Sequence, residues 1–194
     1  MGNNIENVAL FFTVFLFIVC IFIKKDEYFN GNCKQTIDSI TYSIQDLPDK
    51  HIAAQKLHDI NQKIFKLINY LHEKSPTHYG VIRLKKRYKP HALSELHKGS
   101  SNTSYSVNKG EKIVVCLRSK EDNSFHDENT IFFVVLHELA HIMTKSIGHK
   151  KEFWDNFRYL LKHSILIKLY KYQDFNNKPE RYCGIEITDT PLKL

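Results

Sequence analysis

The chain has 194 residues, 42% of them apolar and 25% charged, an ordinary globular mixture that argues against wholesale disorder. Seven Gly and five Pro exclude collagen-like and Pro/Gly-rich low-complexity chains. The net charge is +7, or +8 from Lys24 onward; this suits a polyanion partner, but charge alone sets no function.

Residues 8–23 carry no charge and one hydroxyl, Thr13. As a helix this run is about 24 Å long, somewhat short of a hydrocarbon core of about 30 Å. Snorkelling at Lys24 or a thinned bilayer makes up the difference. A cleaved signal peptide wants a basic start and small residues before the cut. Here the start is Asn3-Asn4-Ile5-Glu6-Asn7, and no such site follows Ile23. The favoured reading is a retained single-pass anchor. Residues 1–25 are then a transmembrane helix, 26–46 a tether with some local structure, and 47–194 the globular domain. Lys24 and Lys25 follow the span and no Lys or Arg precedes it, which puts the domain on the cytoplasmic side of a membrane. Cys20 lies in the span. Cys33, Cys116 and Cys183 are scattered, form no close metal pair and do not read as a disulfide framework.

A helix is expected from about Leu47, with Asp46 as N-cap and Pro48 in the first turn. Ile52, Leu57, Ile60, Ile64, Leu67, Ile68 and Leu71 give it one apolar face, and Ser75-Pro76 ends it. Residues 81–88 suggest a strand, because Ile82 and Leu84 alternate with Arg83 and Lys85. Lys85-Lys86-Arg87-Tyr88-Lys89 is a compact basic patch, able to meet phosphates or to keep an edge strand solvated. Residues 99–106 are a polar loop with a glycosylation sequon at Asn102-Thr103-Ser104. After the turn Asn108-Lys109-Gly110, residues 113–117 read as a buried strand. Two helices follow, over about 128–146 and 150–172. Asn176 to Pro179 is a break, and the remaining tail reads as irregular or partly extended.

The chemistry concentrates at His137-Glu138-Leu139-Ala140-His141, an H-E-x-x-H pattern. Four residues apart on a helix, His137 and His141 share a face and can bring two nitrogens to one Zn²⁺. Glu138 leaves the helix about 100° around from His137, near the metal but free to act as a base on water. The run before it, residues 131–136, is apolar enough to be buried, and buried imidazoles need a shared partner. A catalytic zinc needs a third ligand and an open position. His149, after Gly148, is favoured, and Glu152 is the other candidate. Thr144 and Ile147 stand where a metzincin would have Gly and His. His163 reads as a surface histidine.

The string from His137 to Phe157 resembles the active-site region of WLM-type metallopeptidases, relatives of the SprT and Spartan proteases. His137, Glu138, His141 and His149 fall on that pattern, as do Phe153 and Trp154 at the start of the next helix. The likeness extends upstream through 92–96, 105–108 and 113–118, and covers about 90–161. The chain is also similar to uncharacterised WLM-like proteins of large DNA viruses, down to the tail at 182–188. It departs from the pattern at Lys150, where WLM proteins often carry Asp. The residues up to Leu194 hold no partner-binding motifs of the kind found in WLM proteases that act on DNA-crosslinked proteins. The resemblance therefore implies protease chemistry more directly than a DNA-repair role.

The expected fold is α+β and zincin-like, a minimal metallopeptidase domain behind a transmembrane helix. The zinc helix and the helix after it pack under a small sheet whose edge includes residues 113–117. The expected activity is a membrane-anchored zinc peptidase acting on protein or peptide substrates. One catalytic Zn²⁺ is held by His137, His141 and His149, with Glu138 as general base. Tyr182 is an oxyanion candidate that nothing in the sequence places near the metal. Two alternatives remain. One is a membrane-tethered scaffold with a structural zinc, closed by Cys183, Glu152 or another fourth ligand. The other is a basic DNA-binding membrane protein, which rests on charge alone.

Overall fold

The computed structural model describes residues 31–193. The anchor expected over 8–23 lies outside the described residues. Among the described residues no helix is long and apolar enough to cross a membrane. The expected membrane localisation, with a domain on the cytoplasmic side, is corrected on that finding. The longest described helix has 25 residues, but its buried positions occupy one face only.

The stretch read as a tether carries a hairpin. β1 (Asn32–Ile37) and β2 (Ile40–Gln45) pair across a two-residue turn at Asp38 and Ser39, both at positive φ, the geometry that matches strand twist. Tyr42 and Ile44 of β2 are fully buried. Gln45 holds the hairpin against later chain: its amide donates to Glu95 Oε2 at 2.7 Å and its side chain to the Leu96 carbonyl at 2.9 Å.

Helix α1 (Lys50–Lys74) buries Ala53, Leu57, Ile60, Ile64, Leu67, Ile68 and Leu71, and Ser75 caps its end as expected. Its start differs from expectation. The N-cap is Asp49, which makes no side-chain cap bond. The Asp49 carboxylate instead receives both terminal nitrogens of Arg118, at 2.8 and 2.9 Å. Ile52, expected on the apolar face, is exposed.

Residues 81–88 are not a strand. Helix α2 (Tyr79–Arg87) occupies them, capped by His78, whose ring nitrogen accepts from the Val81 amide. Over so short a run the alternating and helical periods overlap. Burial of Val81, Leu84 and Tyr88, at spacings of three and four, decides it. The basic patch thus falls in the last helical turn, where Lys85, Lys86 and Arg87 face the negative end of the helix dipole.

A 3₁₀ turn (Pro90–Ala92) leads into β3 (Leu93–Glu95), and β4 (Tyr105–Val107) and β5 (Lys112–Val115) follow. The sheet order is β3-β5-β4, with β5 parallel to β3 and antiparallel to β4. The expected edge strand is therefore the central one. Its buried residues Ile113, Val114 and Val115 suit that place, and β4 forms one of the two edges.

Helix α3 (Glu128–Met143) begins at Asp127, whose carboxylate accepts from the Thr130 amide at 2.8 Å. It is buried almost all round, from Ile131 to Met143. Helix α4 (Lys151–Leu166) packs against it, burying Phe153, Phe157, Leu160 and Leu161. It stops before the expected 172 because Lys168 turns into positive φ and the Leu169 amide bonds back to the Ser164 carbonyl. The tail forms a hairpin of β6 (Glu180–Tyr182) and β7 (Ile185–Ile187), turning at Cys183 and Gly184. A disulfide joins Cys183 to Cys116 at the end of β5, across 67 residues of sequence.

Candidate metal centre

Because α3 is packed almost all round, its few polar residues are held in one orientation. His137 and His141 lie one helical turn apart on the face that meets α4 and the loop before it. That loop, residues 144–150, carries His149 after Gly148, which stands at a positive φ of 77°. The His149 Nε2 lies 3.1 Å from His137 Nε2 and 3.2 Å from His141 Nε2. All three ligand atoms fall within 4.8 Å of one another. A tetrahedral zinc with bonds of about 2.0–2.1 Å spaces its ligands roughly 3.3–3.4 Å apart, so these three nitrogens fit one ion. Burial, reinforced by the neighbouring imidazoles, drives the His137 pKa down to about 3. Burial, then His149 and Lys109, drives that of His141 to about 4. Both are neutral, as a metal ligand must be.

The loop is fixed from two sides. Glu152 accepts from the amides of Lys145 and Ser146, at 2.9 and 3.1 Å, and from the Ser146 hydroxyl at 2.8 Å. Lys109 Nζ donates to the carbonyls of Thr144 and Ser146, at 3.1 and 2.6 Å. Glu152, the other candidate third ligand, is thus engaged in holding the loop that carries His149. Phe153, fully buried, packs its ring against all three imidazoles.

Glu138 is 5% exposed and lines the cleft beside His137. Burial raises its pKa to about 7, partly offset by hydrogen bonds from Ser106 on β4. The cleft here is open, bounded by Ser104, Tyr105, Ser106 and Lys109 on one wall and His141 and His149 on the other. Tyr182, which the sequence could not place, lines a cavity that also touches His137 and Glu138. The residue is 1% exposed and its hydroxyl pairs with Ser104 Oγ at 2.7 Å, so no oxyanion role is assigned to it. Cys183 is committed to the disulfide and Glu152 to backbone amides, which removes both groups named as a fourth ligand for a closed structural site. His163 is half-buried, its ring 4.3 Å from that of Tyr159. Ser106, Lys109 and the loop-holding role of Glu152 were missed by sequence reasoning. Only the turn at Asn108 to Gly110 hinted that β4 and Lys109 come together.

The WLM domain model matches residues 36–192. The uncharacterised protein R325 of Acanthamoeba polyphaga mimivirus is 34% identical over 193 residues, covering 97% of this chain and 98% of its own length. The uncharacterised protein 136R of Invertebrate iridescent virus 6 is 32% identical over 95 residues, 47% of this chain and 51% of that one. Among solved structures, Wss1 from Saccharomyces cerevisiae aligns with a TM-score of 0.49 and 23% identity, over 64% of this chain and 87% of that one.

Proposed function

The chain belongs to the WLM family, and from that premise we propose that it is a zinc-dependent metallopeptidase that hydrolyses peptide bonds of protein substrates. The observation that carries the reading is the convergence of three imidazole nitrogens beside a buried carboxylate in an open cleft. His137, His141 and His149 are the residues that hold the ion. When bound, zinc polarises the scissile carbonyl and lowers the pKa of water beside it. Glu138 takes the proton of the attacking water and carries it to the leaving amine. The outer edge of β4 borders the same cleft and offers backbone groups to align an extended peptide.

Metal analysis paired with a casein-type cleavage assay, with and without chelator, tests the reading. One zinc per chain and chelator-sensitive cleavage are expected. Glu138→Gln is nearly isosteric but accepts no proton. It should keep the fold and the zinc and lose cleavage by about 10²-fold or more. Unchanged cleavage in that variant overturns the reading, and lost zinc makes Glu138 a structural group.

A further inference from the structure

Two cavities meet at His137 and Glu138, and they differ in chemistry. The one bounded by Ser106, Lys109 and His149 is the polar cleft described above. The other, on the far side of the same two residues, has a volume of about 270 Å³. Its walls come from Phe133 of α3, Trp154 and Phe157 of α4, and Tyr182, Ile185 and Ile187 of the tail hairpin. An apolar cavity of about 150 Å³ already holds a benzene ring. Thr103 and Ser104 border both cavities, so a chain lying along β4 reaches either one.

Two further observations mark this cavity as a recognition site. Ile185 is 51% exposed and Trp154 is 36% exposed at its border, where apolar surface left to water gains from being covered. Besides Glu138, the one charged group in its lining among the described residues is Asp189, which is exposed and receives a hydrogen bond from Asn176 Nδ2 at 3.1 Å. An acidic guest meets repulsion from Asp189; an ammonium guest, though drawn by Asp189 and the aromatic faces, gives up its hydration in a lining that is mostly carbon.

We propose that this cavity binds a large aliphatic or aromatic side chain of the substrate residue adjoining the scissile bond. Cleavage is then directed to positions beside Leu, Phe and residues of similar size. The proposal rests on the peptidase reading. The tail hairpin supplies one wall, with Ile185 and Ile187 two residues apart and facing the same side of β7.

The test uses the zinc-loaded full chain and a set of peptides identical except at the residues flanking one bond. Leu, Phe, Ala, Lys and Glu are placed there in turn, and products are mapped by mass. Leu and Phe peptides should be cleaved about tenfold or more faster than the Ala peptide, on the scale at which apolar pockets discriminate. Ile185→Glu should collapse that ratio. Trp154 is the only tryptophan of the sequence, so a second readout is built in. In Glu138→Gln, N-acetyl-leucinamide should change Trp154 emission saturably, and N-acetyl-lysinamide should not. Cleavage with flat ratios, or with a preference for Lys or Glu, overturns this proposal and leaves the peptidase standing. Cleavage of none of the peptides overturns both.

Discussion

The ring of Phe153 lies 4.4 Å, centroid to centroid, from that of His141. It lies 4.5 Å from His149 and 4.8 Å from His137, so one phenyl group supports all three imidazoles. Phe153→Ala should cost about 3–5 kcal/mol, as expected for a fully buried aromatic. Phe153→Leu keeps the core filled but removes the flat support. Its zinc affinity should fall about tenfold or more while its thermal unfolding stays cooperative. Chelator competition and calorimetry on the two variants check this.

Glu152 acts on the same centre through the loop. Glu152→Gln leaves one acceptor oxygen for the three groups that the carboxylate now serves. Zinc affinity should fall by about 10–100-fold, yet saturating zinc should still give one ion per chain. His149→Ala should stay well below one ion per chain under the same conditions. Equal loss in both variants would make Glu152 a ligand.

Arg118 joins three distant segments. Its Nε donates to Glu95 at 2.9 Å, and its other nitrogens clamp Asp49. The Arg118 and Glu95 side chains are 2% and 0% exposed. Arg118→Ala strands a buried carboxylate and should destabilise by about 3–5 kcal/mol. Glu95→Gln with Arg118→Met should recover part of that loss. Denaturant melts of the single and double variants measure it.

The Arg118 guanidinium also holds the Asp49 carboxyl below the ordinary value of about 3.9. A depressed carboxyl stabilises the fold above its unfolded pKa, and that stability is lost as pH falls through the folded pKa. The difference in melting temperature between wild type and Asp49→Asn should be full above about pH 5 and shrink as pH falls below the ordinary carboxyl value and through the lowered folded one. A difference that stays constant with pH would remove the ion pair as its cause.

The disulfide between Cys116 and Cys183 closes a long loop of sequence. Reduction should cost about 2–5 kcal/mol, which lowers the melting temperature by roughly 5–15 °C in a domain of this size. Melts with and without a thiol reductant read the shift. The Cys116→Ala, Cys183→Ala double variant should melt at the lower temperature in both.

The parts of the fold that were legible in sequence are those whose causes are local. The His137 and His141 pair follows from helix periodicity, and the apolar run before it predicts a buried helix. The end of α1 at Ser75 follows from the proline behind it. The short run at 81–88 misled because four alternating residues satisfy two periods at once, and only packing chooses between them. The sequence points to Asp46 as the N-cap of α1, but the cap is Asp49, whose partner Arg118 lies 69 residues on, where no local rule can reach it. The place of β5 at the centre of its sheet, and the pairing of Cys116 with Cys183, are long-range in the same way.

His137 and His141 sit on a helix whose amides are sealed by packing, whereas His149 sits on an exposed loop tied down by a few hydrogen bonds. Amide exchange should separate the two. Residues 131–143 open only with the whole domain, and residues 145–149 open through local fluctuation. A metal ion held by all three would lose His149 most readily, so its residence time should follow the opening frequency of a short surface loop, and changes remote from the helix, at Lys109 or Glu152, would tune it.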